Sequence, residues 1–126
     1  MARETQKKVV AWCEKHYGGE SAPDRLRDIF EEATELAAAL NIVSLPELLD
    51  VVKKSWEKSQ AQGEVGDLNV VPGEIGDIQI ATAWLAADFK IDTQQALDEK
   101  MRTNRAKSTS QSRDRLARKN KIFGKA

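Results

Sequence analysis

The fold depends first on the segment PGEIGDIQIATAWLAAD, which runs from Pro72 to Asp88. Pro72 and Gly73 mark a helix start, and no residue after them ends a helix before Asp88. This stretch is apolar around almost the whole helical wheel, a pattern that predicts a helix buried among other helices. Two carboxylates, Glu74 and Asp77, lie three residues apart on one face of it. Because a buried carboxylate is unstable without a counter-charge, the helix requires either a basic side chain or a metal ion nearby.

The composition indicates one helical domain. The chain has 126 residues, 40% of them apolar and 32% charged, with only three prolines. Its single cysteine, Cys13, excludes an intrachain disulfide framework. No signal peptide is recognisable, and no apolar run is long enough to cross a bilayer. These features predict a cytoplasmic protein without membrane contact.

Charge is distributed unevenly along the chain. Residues 1–99 carry 10 Lys and Arg against 19 Asp and Glu, whereas residues 100–126 carry 10 basic residues and one acid. The net charges of the two parts are therefore −9 and +9. We interpret residues 1–107 as the helical domain and residues 108–126 as a basic tail that is mobile, or helical only on contact.

Five segments have helical periodicity or helix-start signals, and none has a convincing strand pattern. They span residues 4–17, 21–41, 44–62, 72–88 and 93–107. The predicted fold is an all-α bundle of about five helices. Because one chain has too few helices to cover the apolar surface of residues 72–88, we expect a homodimer or homotetramer to complete the bundle. Trp12, Cys13 and His16 in the first helix are interpreted as core residues, since they offer too few ligands for zinc.

A second helix also carries closely spaced acids, Glu32 and Glu35. If it packs antiparallel to the helix of residues 72–88, four carboxylates face one another: Glu32, Glu35, Glu74 and Asp77. Such a group cannot stay ionised without a cation. Oxygen ligands select a hard ion, and Mg²⁺ usually completes its shell with water and phosphate oxygens. Further along the chain, Lys100, Asn104 and Lys107 share one helical face suited to holding phosphate.

These three motifs resemble the all-α, MazG-like nucleotide pyrophosphohydrolases. The family has an EExxE motif, then an ExxD motif, then a helix with lysine and asparagine. In this chain the corresponding residues are 31–35, 74–77 and 100–107. The similarity covers roughly residues 25–107. The segment between the two acid motifs is longer here than in compact members of the family, and the basic tail lies outside the matched region.

The resemblance implies Mg²⁺-dependent hydrolysis of a nucleoside triphosphate to a monophosphate and pyrophosphate, with Mn²⁺ as a substitute ion. It implies that Glu31 orients or deprotonates the attacking water. The implied metal ligands are Glu32, Glu35, Glu74 and Asp77. The implied phosphate-binding residues are Lys100, Asn104 and Lys107. Since the tail lies outside these motifs, we expect it to be dispensable for the chemistry.

Two alternatives remain open. One is phosphoribosyl-ATP pyrophosphohydrolysis, which uses a similar helical carboxylate site. The other is a non-catalytic helical adaptor whose basic tail binds nucleic acid and whose acids are solvated. The tail lacks interleaved aromatic residues, which argues against nucleic acid as a partner.

Overall fold

A computed structural model describes residues 1–18, 21–107 and 109–124, and it is all-α. This confirms the predicted fold class, and no strand occurs in these ranges. The helices are α1 (Arg3–Tyr17), α2 (Ala22–Leu40), α3 (Leu45–Ala61), a short 3₁₀-helix (Leu68–Val70), α4 (Val71–Asp88), α5 (Thr93–Arg105) and α6 (Thr109–Ile122). Ser108, Lys125 and Ala126 of the predicted tail, and Gly19 at the end of the first predicted helix, lie outside the described residues.

The chain forms two compact units. The first combines Met1–Arg25 with Ile91–Ala126, and the second is Leu26–Lys90. The first unit therefore contains α1, α5 and α6, whereas the second contains most of α2 together with α3, the 3₁₀-helix and α4. The acid motifs belong to the second unit, and the basic motif belongs to the first.

Polar side chains begin the helices as the sequence predicts. Asp24 Oδ2 accepts hydrogen bonds from the Ser21 backbone N–H at 3.0 Å and from its hydroxyl at 2.9 Å, at the start of α2. Asp92 Oδ1 accepts one from the Gln95 N–H at 2.8 Å, at the start of α5. These bonds satisfy groups that a helix terminus leaves without intrahelical partners.

The cap of α3 allows a test of how much such a side chain stabilises its helix. Ser44 Oγ accepts a hydrogen bond from the Glu47 N–H at 3.3 Å and donates one to Glu47 Oε1 at 2.9 Å. We expect Ser44→Ala to lower the free energy of unfolding by about 1 kcal/mol in urea titrations, because the cap is lost. Ser55→Ala, in the exposed middle of α3, is the control and should cause no loss. An equal loss in both variants would contradict a capping role for Ser44.

Most of the basic tail is helical in the structure. Thr109–Ile122 form α6, which packs against α1. Ser112 on α6 is fully buried, with 0% of its surface exposed. In α1, the ring of His16 stacks on that of Trp12 with their centroids 4.4 Å apart, and His16 is only 6% exposed. Of the two forms expected for the tail, the structure shows the helix in contact with the rest of the chain, and α6 contributes to the packed interior of the first unit.

Helix α4 is not buried within the chain. Ile80 is 66% exposed and Trp84 is 75% exposed, and Glu74 and Asp77 are exposed as well. Among the described residues, the main packing partner of α4 is the adjoining 3₁₀-helix. This exposure agrees with the expectation that one chain has too few helices to cover α4, and its burial by a partner stays a prediction. The large apolar side chains on α2 and α3 are also exposed, including Ile29, Phe30, Leu36, Leu49, Val52 and Trp56.

The described helices are also too polar or too short to cross a lipid bilayer.

Candidate functional site

Three carboxylates of the first acid motif form a cluster on α2. Glu31, Glu32 and Glu35 each offer one carboxylate oxygen, and these three atoms lie within 4.8 Å of one another. Positions i, i+1 and i+4 on a helix permit this convergence, since residues four apart are neighbours on its surface. Glu31 is half-buried, whereas Glu32 and Glu35 are exposed. Within the described ranges, no other group of three His, Cys, Asp or Glu side chains is so closely spaced.

This acid cluster suits a hard divalent cation. Its donors are all carboxylate oxygens, the ligand type that Mg²⁺ and Mn²⁺ prefer. Three carboxylates at this separation also repel one another, and a cation would offset that repulsion. The residues therefore fit the metal that the resemblance implies. The closely spaced oxygens include one from Glu31 in addition to those of Glu32 and Glu35.

A basic side chain lies one turn before the acid cluster. The guanidinium of Arg27 is 3.5 Å from Asp28 Oδ1, and both residues are half-buried. Arg27 thus forms an ion pair with Asp28, its neighbour on α2. Glu35 has no ion pair with any residue that the structure describes. Its carboxylate consequently depends on solvent or an ion for charge compensation.

The second acid motif lies apart from this cluster in the single chain. Glu74 is in the first turn of α4, where the positive end of the helix dipole favours a carboxylate, and Asp77 follows in the second turn. Neither residue belongs to the group formed by Glu31, Glu32 and Glu35. Neither is ion-paired or hydrogen-bonded through its side chain to a described residue. The predicted four-carboxylate arrangement therefore remains a prediction.

The third motif lies at the end of α5 in the first unit. Asn104 and Lys107 are half-buried, whereas Lys100 is exposed. Between them, Met101 is buried and anchors this turn of α5 to the interior. The helical spacing that predicted a shared face for Lys100 and Asn104 is present, because both lie within α5. Lys107 follows the end of the helix at Arg105.

The pKa of Lys107 is lowered from its ordinary value. Partial removal of the ammonium group from water is the largest cause, followed by the positive charges of Arg115 and Lys100. Arg115 belongs to α6 and lies outside the motifs that the sequence singled out. The tail therefore brings a third cation to the Lys100 and Lys107 region.

Comparisons with known proteins show no family assignment: no family model, curated protein or solved structure matches the chain. The resemblance to the MazG-like enzymes consequently depends on the three motifs, and the function that it implies is a proposal.

Sequence reasoning did not include Arg115 in the candidate site. The only local signal was its basic character, which it shares with five other residues between Arg113 and Lys125. Its contribution to the lowered pKa of Lys107 distinguishes Arg115 from those neighbours, and no local pattern specifies that effect. The core interpretation of His16 and Trp12 agrees with the structure, where their rings stack; Cys13 is exposed.

Proposed function

We propose that this protein is a Mg²⁺-dependent nucleotide pyrophosphohydrolase that cleaves a nucleoside or deoxynucleoside triphosphate to the monophosphate and pyrophosphate. The observation that carries the proposal is the convergence of Glu31, Glu32 and Glu35 on α2. Support comes from the ordered occurrence of the ExxD motif and the basic motif after it. The ion would be held by Glu32 and Glu35, with Glu74 and Asp77 as the further ligands that the resemblance implies.

The chemistry follows from the character of these side chains. A bound Mg²⁺ ion would neutralise phosphate charge and polarise the phosphoryl group. Glu31, half-buried beside the ligands, accepts the proton of the attacking water. The water oxygen forms a bond to the α-phosphorus while the phosphoanhydride bond between the α and β phosphates breaks, and pyrophosphate leaves with the electron pair of the broken bond. By the resemblance, Lys100 and Lys107 would hold phosphate oxygens through charge, and the Asn104 amide would donate a hydrogen bond to one of them.

Self-association is part of the proposal. Large apolar side chains are exposed along α2, α3 and α4 of the second unit, and extensive exposed apolar surface marks a site of association. A second copy of the chain has the same unpartnered helices and is the simplest partner of matching apolar character. Packing of α4 from one copy against α2 of another would also place Glu74 and Asp77 near a Glu32 and Glu35 pair. We infer a homodimer or homotetramer in which the bundle is completed between chains.

Activity should depend on the divalent ion. We expect pyrophosphate release from at least one nucleoside triphosphate in the presence of Mg²⁺, and loss of release in excess chelator with recovery when Mg²⁺ is restored. The measurement is a pyrophosphate assay over a nucleotide panel, with Mn²⁺ in a parallel series. Activity that is undiminished by the chelator would remove the metal from the mechanism. Orthophosphate as the sole product would place the cut at a different bond.

The same panel separates the alternatives. Turnover of phosphoribosyl-ATP, with no turnover of ordinary triphosphates, would favour the related pyrophosphohydrolase. Absence of any nucleotide hydrolysis, together with tight binding of a single-stranded oligonucleotide, would favour the adaptor. The adaptor is retained as an alternative because Glu74 and Asp77 are exposed in the single chain, as solvated acids would be.

A further inference from the structure

Helix α6 is held to the rest of the first unit mainly by α1. Among the described residues, these two helices form the most extensive helix–helix contact of that unit. On α1, the side chains that are shielded from solvent follow one helical stripe, which consists of Thr5, Val9, Trp12 and His16. On α6, the corresponding stripe consists of Ser112, Leu116, Lys119 and Asn120. The docking of α6 therefore depends on the side chains of these two stripes.

The stripe on α6 buries little apolar surface. Leu116 is its one large aliphatic side chain, and it is only half-buried. Phe123, just after the end of the helix, is 48% exposed. Apolar burial is the main favourable term when a helix packs, and a helix of 14 residues is marginally stable by itself. The contact with α1 therefore stabilises α6 only weakly.

Buried polar groups weaken the same contact. Ser112 is fully buried, and His16 is 6% exposed. Ser112 Oγ, His16 Nδ1 and Trp12 Nε1 are shielded from solvent, and none of these atoms has a hydrogen-bond partner among the described residues. Two of them belong to adjacent rings, since Trp12 and His16 are stacked with their centroids 4.4 Å apart. A polar group that is buried without a partner loses its hydrogen bonds to water, and this loss opposes docking.

We propose that α6 is a detachable strap, a helix that opens from α1 in the folded protein without unfolding the second unit. Local opening is expected where an element has few buried apolar contacts, and α6 combines that property with unpartnered polar groups at its contact. Neither α1 nor α6 belongs to the second unit, so the helices of that unit keep their own contacts when α6 opens. Opening exposes the stacked rings of Trp12 and His16. The strap thus controls access to this aromatic surface of α1.

Hydrogen exchange on the full-length chain, followed by NMR, measures this opening. The backbone amides of α6 and the indole N–H of Trp12 should exchange through the same opening, because Trp12 Nε1 is shielded on the stripe that α6 contacts. The amides of α3, in the second unit, report any wider unfolding. All variants are compared with the parent at one protein concentration.

Ser112→Ala removes the buried hydroxyl group without adding volume. We expect it to raise the protection of the α6 amides and of the Trp12 indole N–H about tenfold, because a group that opposes docking is lost. Ser110→Ala is the matched control, since it is the same change at an exposed position of α6. Its protection should rise no more than about twofold, through helix propensity alone.

Leu116→Ala tests the opposite direction. It removes the large aliphatic side chain from the α6 stripe, so the protection of the α6 amides and of the Trp12 indole N–H should fall at least about tenfold. The protection of the α3 amides should stay within about twofold of the parent. Equal losses in α6 and α3 would mean that α6 opens only when the whole chain unfolds, and would overturn the proposal.

Three further results would also reject the strap. Lower protection in Ser112→Ala would mean that the hydroxyl group is satisfied at the contact, for example by a bound water molecule. Equal changes in Ser112→Ala and Ser110→Ala would remove the buried hydroxyl as the cause. Trp12 indole exchange that does not follow the α6 amides, or α6 amides without protection in the parent, would show that α6 does not cover the ring of Trp12.

Discussion

Glu35→Gln is expected to lower nucleotide turnover by about a hundredfold, since loss of even a group that supports a metal ligand can reduce activity that far. The substitution removes one charged oxygen ligand from the acid cluster while keeping nearly the same volume. Because Glu35 is exposed, the free energy of unfolding without metal should change by no more than about 0.5 kcal/mol. Pyrophosphate release and thermal melting, measured on the same preparation, provide the two readouts.

Glu57→Gln on α3 is the matched control for this experiment. Glu57 is exposed and lies 4.0 Å from the ammonium group of Lys53, a surface ion pair that contributes little to stability. It undergoes the same chemical change within the same unit and should retain full turnover. A marked fall in the melting temperature of Glu35→Gln, with Glu57→Gln unaffected, would instead identify Glu35 as a structural residue.

Ile80→Lys on α4 is expected to dissociate the oligomer. Burying an isoleucine side chain contributes about 1.5–3 kcal/mol, and a symmetric dimer contains the substitution twice. The dissociation constant should therefore rise at least about a hundredfold, and sedimentation velocity should show a shift towards the 14.0 kDa monomer. Nucleotide turnover should fall as the oligomer dissociates if Glu74 and Asp77 act across the interface.

Ile122→Lys is the control for the loss of an exposed apolar residue. Ile122 is an exposed isoleucine at the end of α6, outside the second unit, so the same substitution there should leave the oligomer intact. Equal dissociation by both variants would mean that α4 is not the principal contact. A parent protein that sediments only as a monomer at working concentration would reject self-association itself.

Local sequence patterns account for the helices and for the first acid cluster. The caps provided by Ser44 and Asp92 act within three residues of the helix start, and the structure places α3 and α5 directly after them. The convergence of Glu31, Glu32 and Glu35 is equally local, because helical geometry alone brings these positions together. Features of this kind depend on neighbouring residues, and the linear sequence contains the information needed to predict them.

The packing of the tail on α1 and the exposure of α4, in contrast, are properties of the tertiary structure. Whether α6 packs on α1 depends on contacts between residues about a hundred positions apart, which no local pattern specifies. An apolar helix such as α4 has the same sequence whether its own chain or another copy covers it. Its composition therefore predicted that a covering partner is needed, whereas the structure showed that the single chain leaves Ile80 and Trp84 exposed. For the same reason, the distance between the two acid motifs could not be read from their spacing along the chain.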